Sequence, residues 1–189
     1  MVTKTIDPGG GGDYLTPATF DAAASDGWIG ELVDGAHSCG AGLSLAHAVT
    51  LQSRDGLSIL TGTGSYILRG VANKTVTLIG GFVDCATRTR GLDIENTRTF
   101  DVQGTEFVLH GSSDGTNLHS AIYLNAGGIV KGSPKISGGY ADGYHYGIYS
   151  DGGTLDIDGD DGGSLTITSL GRGVGVFSST TGLIDRLSI

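Results

Sequence analysis

The chain has 189 residues, 35 of them glycine and only 3 proline, and a formal net charge of −9 from 20 acids against 11 bases. Glycine well above its about 7% average disfavours long helices, scarce proline excludes collagen, and the apolar content excludes a disordered linker. An acidic surface repels a phosphate backbone, so nucleic acid is excluded as a partner; no apolar run is long enough to span a membrane, which leaves one turn-dense β domain.

In chain order, Met1 to Pro8 has no apolar run after its lysine, so no secretory signal is expected and the chain is expected to fold in a cytoplasm. Thr16 suits an N-cap with Pro17 at the first helical position, and Thr19-Phe20-Asp21-Ala22-Ala23-Ala24 continues the helix. Trp28-Ile29 then carries the chain into a series of short apolar clusters that recur in three families. One runs through Tyr66-Ile67-Leu68, Leu92-Asp93-Ile94, Ile122-Tyr123-Leu124, Ile148-Tyr149 and Val176-Phe177. A second runs through Val49-Thr50-Leu51, Val76-Thr77-Leu78, Phe100-Asp101-Val102, Ile129-Val130, Leu155-Asp156-Ile157 and Leu183-Ile184. A third runs through Leu57-Ser58-Ile59, Phe82-Val83, Phe107-Val108, Lys135-Ile136 and Leu165-Thr166-Ile167. Steps of 25 to 28 positions recur in all three, as from Ile122 to Ile148 and from Phe82 to Phe107.

Three short strands per turn, each stacked on its counterpart one period later, define an all-β fold: a right-handed single-stranded parallel β-helix of about six rungs, with glycines at the corners. Residues 1–35 are read as an N-terminal strand and capping helix, and 36–189 as one continuous β-helix. Phe20 is expected to lie over the first rung of the coil. The chain stops at Leu187-Ser188-Ile189 inside a rung, which implies either a cut from a longer protein or a second chain over that end.

The opening resembles the start of pectin-esterase-like and pectate-lyase-like β-helix proteins. Gly11-Gly12-Asp13-Tyr14, Thr19-Phe20 and Ala22-Ala23-Ala24 are similar to their Gly-Asp-Tyr segment and capping helix. Trp28-Ile29-Gly30-Glu31-Leu32-Val33-Asp34-Gly35 is similar to their first strand. Such openings also occur in phage and prophage β-helix proteins, so the resemblance implies the fold and a virion setting. It does not carry over catalytic residues: Leu170-Gly171-Arg172-Gly173 lacks the proline and tryptophan of the esterase arginine segment, and no lyase-type set of aspartates with a basic residue stands out.

Four constellations bear chemistry. Asp156, Asp158, Asp160 and Asp161 supply oxygen ligands at a spacing that calcium accepts, although the EF-hand pattern fails because Asp161 and Ile167 stand where glycine and glutamate belong. The same string also reads as an acidic turn. His119 and His145 each lie three positions before an inward isoleucine and stack on adjacent rungs; with Arg90 beside Asp93, Asp142 and Asp151 they outline an acid–base or anionic-sugar groove, or simply fill equivalent corners. Tyr123, Tyr149 and Phe177 form an outward aromatic column, joined by Tyr140, Tyr144 and Tyr146, suited to protein contact or to sugar rings. Thr75/Thr77, Thr61/Thr63 and Thr166/Thr168 suggest ice binding, but the array breaks at Thr99/Asp101. Cys39 and Cys85 are too few for a disulfide framework and are read as buried thiols.

The expectation is a non-enzymatic structural protein without cofactor, a phage decoration, tail or fibre-type component that meets other virion proteins or copies of itself. A polysaccharide-active lyase, esterase or hydrolase, and a non-catalytic module for host surface carbohydrate, are the alternatives.

Overall fold

The computed structural model describes residues 1–85, 90–109, 119–125, 127–138, 145–152, 154–157, 165–169, 181–184 and 187–188. In chain order the elements are β1 (Thr3–Ile6), α1 (Pro17–Ala23), β2 (Ile29–Leu32), β3 (Gly35–Ser38), β4 (Leu43–Ser44), β5 (Thr50–Ser53) and β6 (Ser58–Thr61). Then come β7 (Tyr66–Arg69), β8 (Thr75–Ile79), β9 (Phe82–Cys85), β10 (Arg90–Ile94), β11 (Thr99–Leu109), β12 (His119–Asn125) and β13 (Ile129–Gly138). The last are β14 (His145–Asp151), β15 (Thr154–Ile157), β16 (Leu165–Ser169), β17 (Thr181–Ile184) and β18 (Leu187–Ser188).

Every pairing between these strands is parallel, and each joins a strand to its counterpart one turn on. The first column is β1-β2-β5-β8, continuing through the front half of β11, the front half of β13, β15 and β17. The second is β3-β6-β9 with the rear halves of β11 and β13, then β16 and β18; the long strands β11 and β13 bend from one column into the other. The third column is β4-β7-β10-β12-β14. This is a parallel β-solenoid of about five turns, with five third-column strands among the described residues.

The interior is largely apolar. Phe100, Phe107, Leu51, Leu78, Leu92 and Ile122 have no more than 2% of their surface exposed, and each such side chain contributes about 2 kcal/mol by leaving water. Cys39 and Cys85 are free thiols inside this core. The strands alternate inward and outward as expected, but the rung spacing places several inward residues one position away from the sequence families. Val83, not Phe82, pairs with Phe107; Phe107, not Val108, pairs with Ile136; and Phe100 pairs with Val130. The slip arises where β11 and β13 turn between columns, with a register shift between Gln103 and Glu106. Gly132 allows that bend: its φ of +93° suits glycine, and a Cβ there would stand 2.4 Å from the Val102 carbonyl oxygen.

α1 closes the N-terminal end. Thr16 and Thr19 form a reciprocal capping box, each backbone N–H donating to the other's hydroxyl at 3.2 Å. Phe20 is fully buried, edge-on to Tyr14 at 5.7 Å and tilted against Trp28 at 6.4 Å. The rung beneath makes room for it with Gly30, where a Cβ would meet Phe20 Cε1 at 2.9 Å and Ile6 Cδ1 at 2.8 Å. Asp21, almost buried, ties the helix to the next turn by accepting from the N–H groups of Ala46 (2.8 Å) and His47 (3.3 Å). Among the described residues no helix is long and apolar enough to cross a membrane.

Candidate functional site

The outer face of the third column gathers most of the singled-out residues. Parallel strands in register point paired residues to the same side, so two outward columns run along β7, β10, β12 and β14. One is Arg69, Asp93, Tyr123 and Tyr149; the other is Tyr66, Arg90, Ser120 and Tyr146. Leu68, Leu92, Ile122 and Ile148 form the inward column beneath them.

The two outward columns lace together. Tyr66 shares a 2.8 Å hydrogen bond with Ser44 and underlies Arg69, whose guanidinium carbon lies 4.4 Å from the ring centroid. Arg69 donates through Nε and Nη2 to one oxygen of Asp93, which is itself almost fully covered. Burial opposes the charge on Arg69, but the hydrogen bonds and charge of Asp93 outweigh it and hold the guanidinium above the usual arginine range. The other Asp93 oxygen makes no hydrogen bond and has Arg90 Nη1 3.5 Å away. Arg90 lies flat over Tyr123, 3.7 Å from its centroid. Tyr149 stacks on Tyr123 at 5.5 Å and 3°, and Tyr146 meets Tyr149 edge-on at 5.4 Å. Arg98 closes the lower rim, donating to the Gly70 carbonyl at 2.8 Å and the Glu95 carbonyl at 2.9 Å.

Of the residues singled out from sequence, Arg90, Tyr123 and Tyr149 therefore come together. His119 does not join them. It pairs in register with His145, as the spacing implies, but it is fully buried, whereas Arg90 pairs with Ser120 one position on. Arg90 lies two positions before Leu92 and His119 three before its counterpart Ile122, so the two stand one position apart, and the successive inward residues Gly91 and Leu92 leave Arg90 outside. The histidine–arginine row thus splits between inside and outside. Tyr140, Tyr144, Asp142 and Phe177 lie outside the described residues, as do Asp158, Asp160 and Asp161. Asp156 is exposed on the first column beside Lys131, which has Asp101 as its other register partner. Among the described residues no three His, Cys, Asp or Glu side chains are grouped to hold a metal ion.

Sequence reasoning missed Tyr66, Arg69 and Ser120. The signal was present: Tyr66 precedes Arg90, and Arg69 precedes Asp93, by the same 24 positions. Two other features lie away from the ladder. A shallow cavity of about 290 Å3, lined by Ile59, Phe82, Asp84 and Val108, opens on the outside of the second column. Burial pushes the Cys39 thiol up to about 12 and raises that of Cys85 further, so neither is a thiolate at neutral pH.

The geometry defines the chain as a parallel β-solenoid with an arginine–tyrosine ladder on one outer face. Comparison takes the identification no further: no family model matches the sequence, and neither the curated proteins nor the solved structures include a match.

Proposed function

We propose that this chain is a non-enzymatic structural and interaction protein: a rigid β-helix rod of the pectate-lyase-like kind that assembles through its surface as a phage decoration, tail or fibre-type component. The observation that carries this reading is the state of Tyr123. The sheet order puts β10 on one side of β12 and β14 on the other, so Arg90 covers one face of the ring and Tyr149 the other. A sugar ring stacks on an open aromatic face, and both faces of Tyr123 are taken. What the ladder offers outward is ring edges, hydroxyls and guanidinium, the side-chain chemistry enriched at protein interfaces. Stacking every rung to the next also stiffens the coil, which suits a scaffold more than a site that must flex around a substrate.

Light scattering on the full chain after size exclusion tests the reading. The expected result is a mass that rises with concentration towards a defined assembly. A monomer throughout, or release of reducing ends or unsaturated uronates from a polysaccharide panel, overturns it.

A further inference from the structure

The two sides of β1 meet different partners. Its inner side pairs with β2, the Ile29 N–H donating to the Val2 carbonyl at 2.8 Å and the Val33 N–H to the Ile6 carbonyl at 3.2 Å. Backbone direction alternates along a strand, so Thr3, Thr5 and Asp7 turn their N–H and C=O groups to the opposite side. No further strand pairs there among the described residues. An open edge of this kind is a template on which another chain can add a strand.

Here the edge is taken by the turn that follows the strand. Tyr14 lies opposite Ile6 as a strand residue would: its N–H donates to the Thr5 carbonyl at 3.0 Å, and its carbonyl accepts from the Asp7 N–H at 2.8 Å. The Thr5 N–H donates to Asp13 Oδ2 at 2.9 Å, and Asp13 Oδ1 lies 3.1 Å from Lys4 Nζ. A carboxylate thus stands where a neighbouring strand would offer a carbonyl. The Asp7 carbonyl accepts from the Gly10 N–H at 3.1 Å, so only Thr3 keeps open-side groups without a partner among the described residues. Asp7 also folds the glycine run back onto the strand, accepting through Oδ1 from the Gly9 N–H at 2.7 Å and through Oδ2 from the Gly11 N–H at 3.0 Å. Gly12 permits the close approach: a Cβ there would stand 2.9 Å from the Thr5 carbonyl oxygen and 3.1 Å from the Asp7 nitrogen. α1 covers the apolar interior through Phe20, but the backbone edge is met by this turn.

We infer that the turn of residues 9–14 is a guard against strand addition: it occupies the edge of β1 so that a second copy of this chain cannot pair with it. With the turn displaced, two copies present identical edges, which pair antiparallel about a two-fold axis and close as a dimer. The inference is independent of the assembly reading above, since it concerns the end of the coil rather than its side.

The test compares full-chain variants with the wild type at a concentration where the wild type is a single species. Asp13→Ala removes the carboxylate, and Gly12→Ala drives the turn off the strand by another route. Each is expected to raise the hydrogen-exchange rate of the Thr5 amide at least about tenfold and to double the mass seen by light scattering, with an unchanged circular dichroism spectrum. Adding Thr3→Pro to Asp13→Ala removes an edge donor without touching the ladder to β2, and is expected to restore the wild-type mass. An exchange rate that does not rise, a mass that does not double once it has risen, or a doubled mass that Thr3→Pro leaves unchanged overturns the guard. A wild type that is monomeric at every concentration overturns the assembly reading alone.

Discussion

The inner and outer faces of the third column obey the same stacking rule and depend on it differently. Inside, Leu68, Leu92, Ile122 and Ile148 repeat one kind of side chain at one register position, and each contributes by leaving water. Outside, Arg69, Asp93, Tyr123 and Tyr149 repeat nothing until the last two; each position is specified by its neighbour's charge or ring. The inner face therefore tolerates exchange among aliphatics of similar volume. The outer face tolerates only changes that respect a partner. A solenoid can thus hold its fold constant while rewriting its surface rung by rung.

That contrast is open to test, beginning with the largest expected effect. Ile122→Ala is expected to cost about 3 kcal/mol in urea unfolding and Ile122→Val only about 1, the gap reflecting the cavity left in a close-packed interior. Equal costs for the two would mean that the core repacks freely. Asp93→Ala leaves Arg69 and Arg90 facing each other without a carboxylate, and a loss of about 2 kcal/mol is expected after discounting for their partial exposure. Adding Arg69→Met should recover part of that loss. A double cycle showing no coupling would remove the pairwise account of the outer face. Tyr149→Leu preserves bulk but not the ring stack, with about 1 kcal/mol expected; a neutral result would reduce the ladder to simple coverage.

The smallest effect concerns pH. The Thr5 N–H and the Lys4 ammonium hold the Asp13 carboxyl below its ordinary 3.8, and Lys74, 2.5 Å away, with the Ala48 N–H does the same for Asp26. Because the folded values are depressed, their stabilisation is present above pH 3.8 and disappears as pH falls through the folded values. The urea midpoint is expected to decline in acid, and Asp26→Asn to flatten part of that decline. An unchanged slope would show that these surface pairs contribute nothing measurable.

Much of the fold was legible. Thr16-Pro17 announced the helix start, and α1 begins at Pro17; Phe20 sits over the coil; and Ile122 with Ile148, and Tyr123 with Tyr149, pair as their spacing implies. The site was legible in part. Tyr123, Tyr149 and Arg90 lie on one face, but Arg90 pairs with Ser120, and His119 is buried. The reason is that apolar residues stand side by side, as in Phe107-Val108 and Ile129-Val130, and composition does not say which of the two turns inward, or that at Gly91-Leu92 both do. Arg69 and Tyr66 went unread because a charged and an aromatic residue make no periodic apolar signal. Their role exists only once Asp93 and Arg90 lie one rung away.

What the amino-acid order determined by itself is the coil: apolar clusters that recur every 21 to 31 positions with glycine between them suit parallel stacking, since each cluster buries its face only against the next. What the tertiary structure alone decided is the register within each rung. In a strand, a slip of one residue exchanges inside for outside. Two successive inward residues, Gly91 and Leu92, reverse the alternation ahead of them, which leaves Arg90 outside over Tyr123, while His119, one position before Arg90's register partner Ser120, is buried.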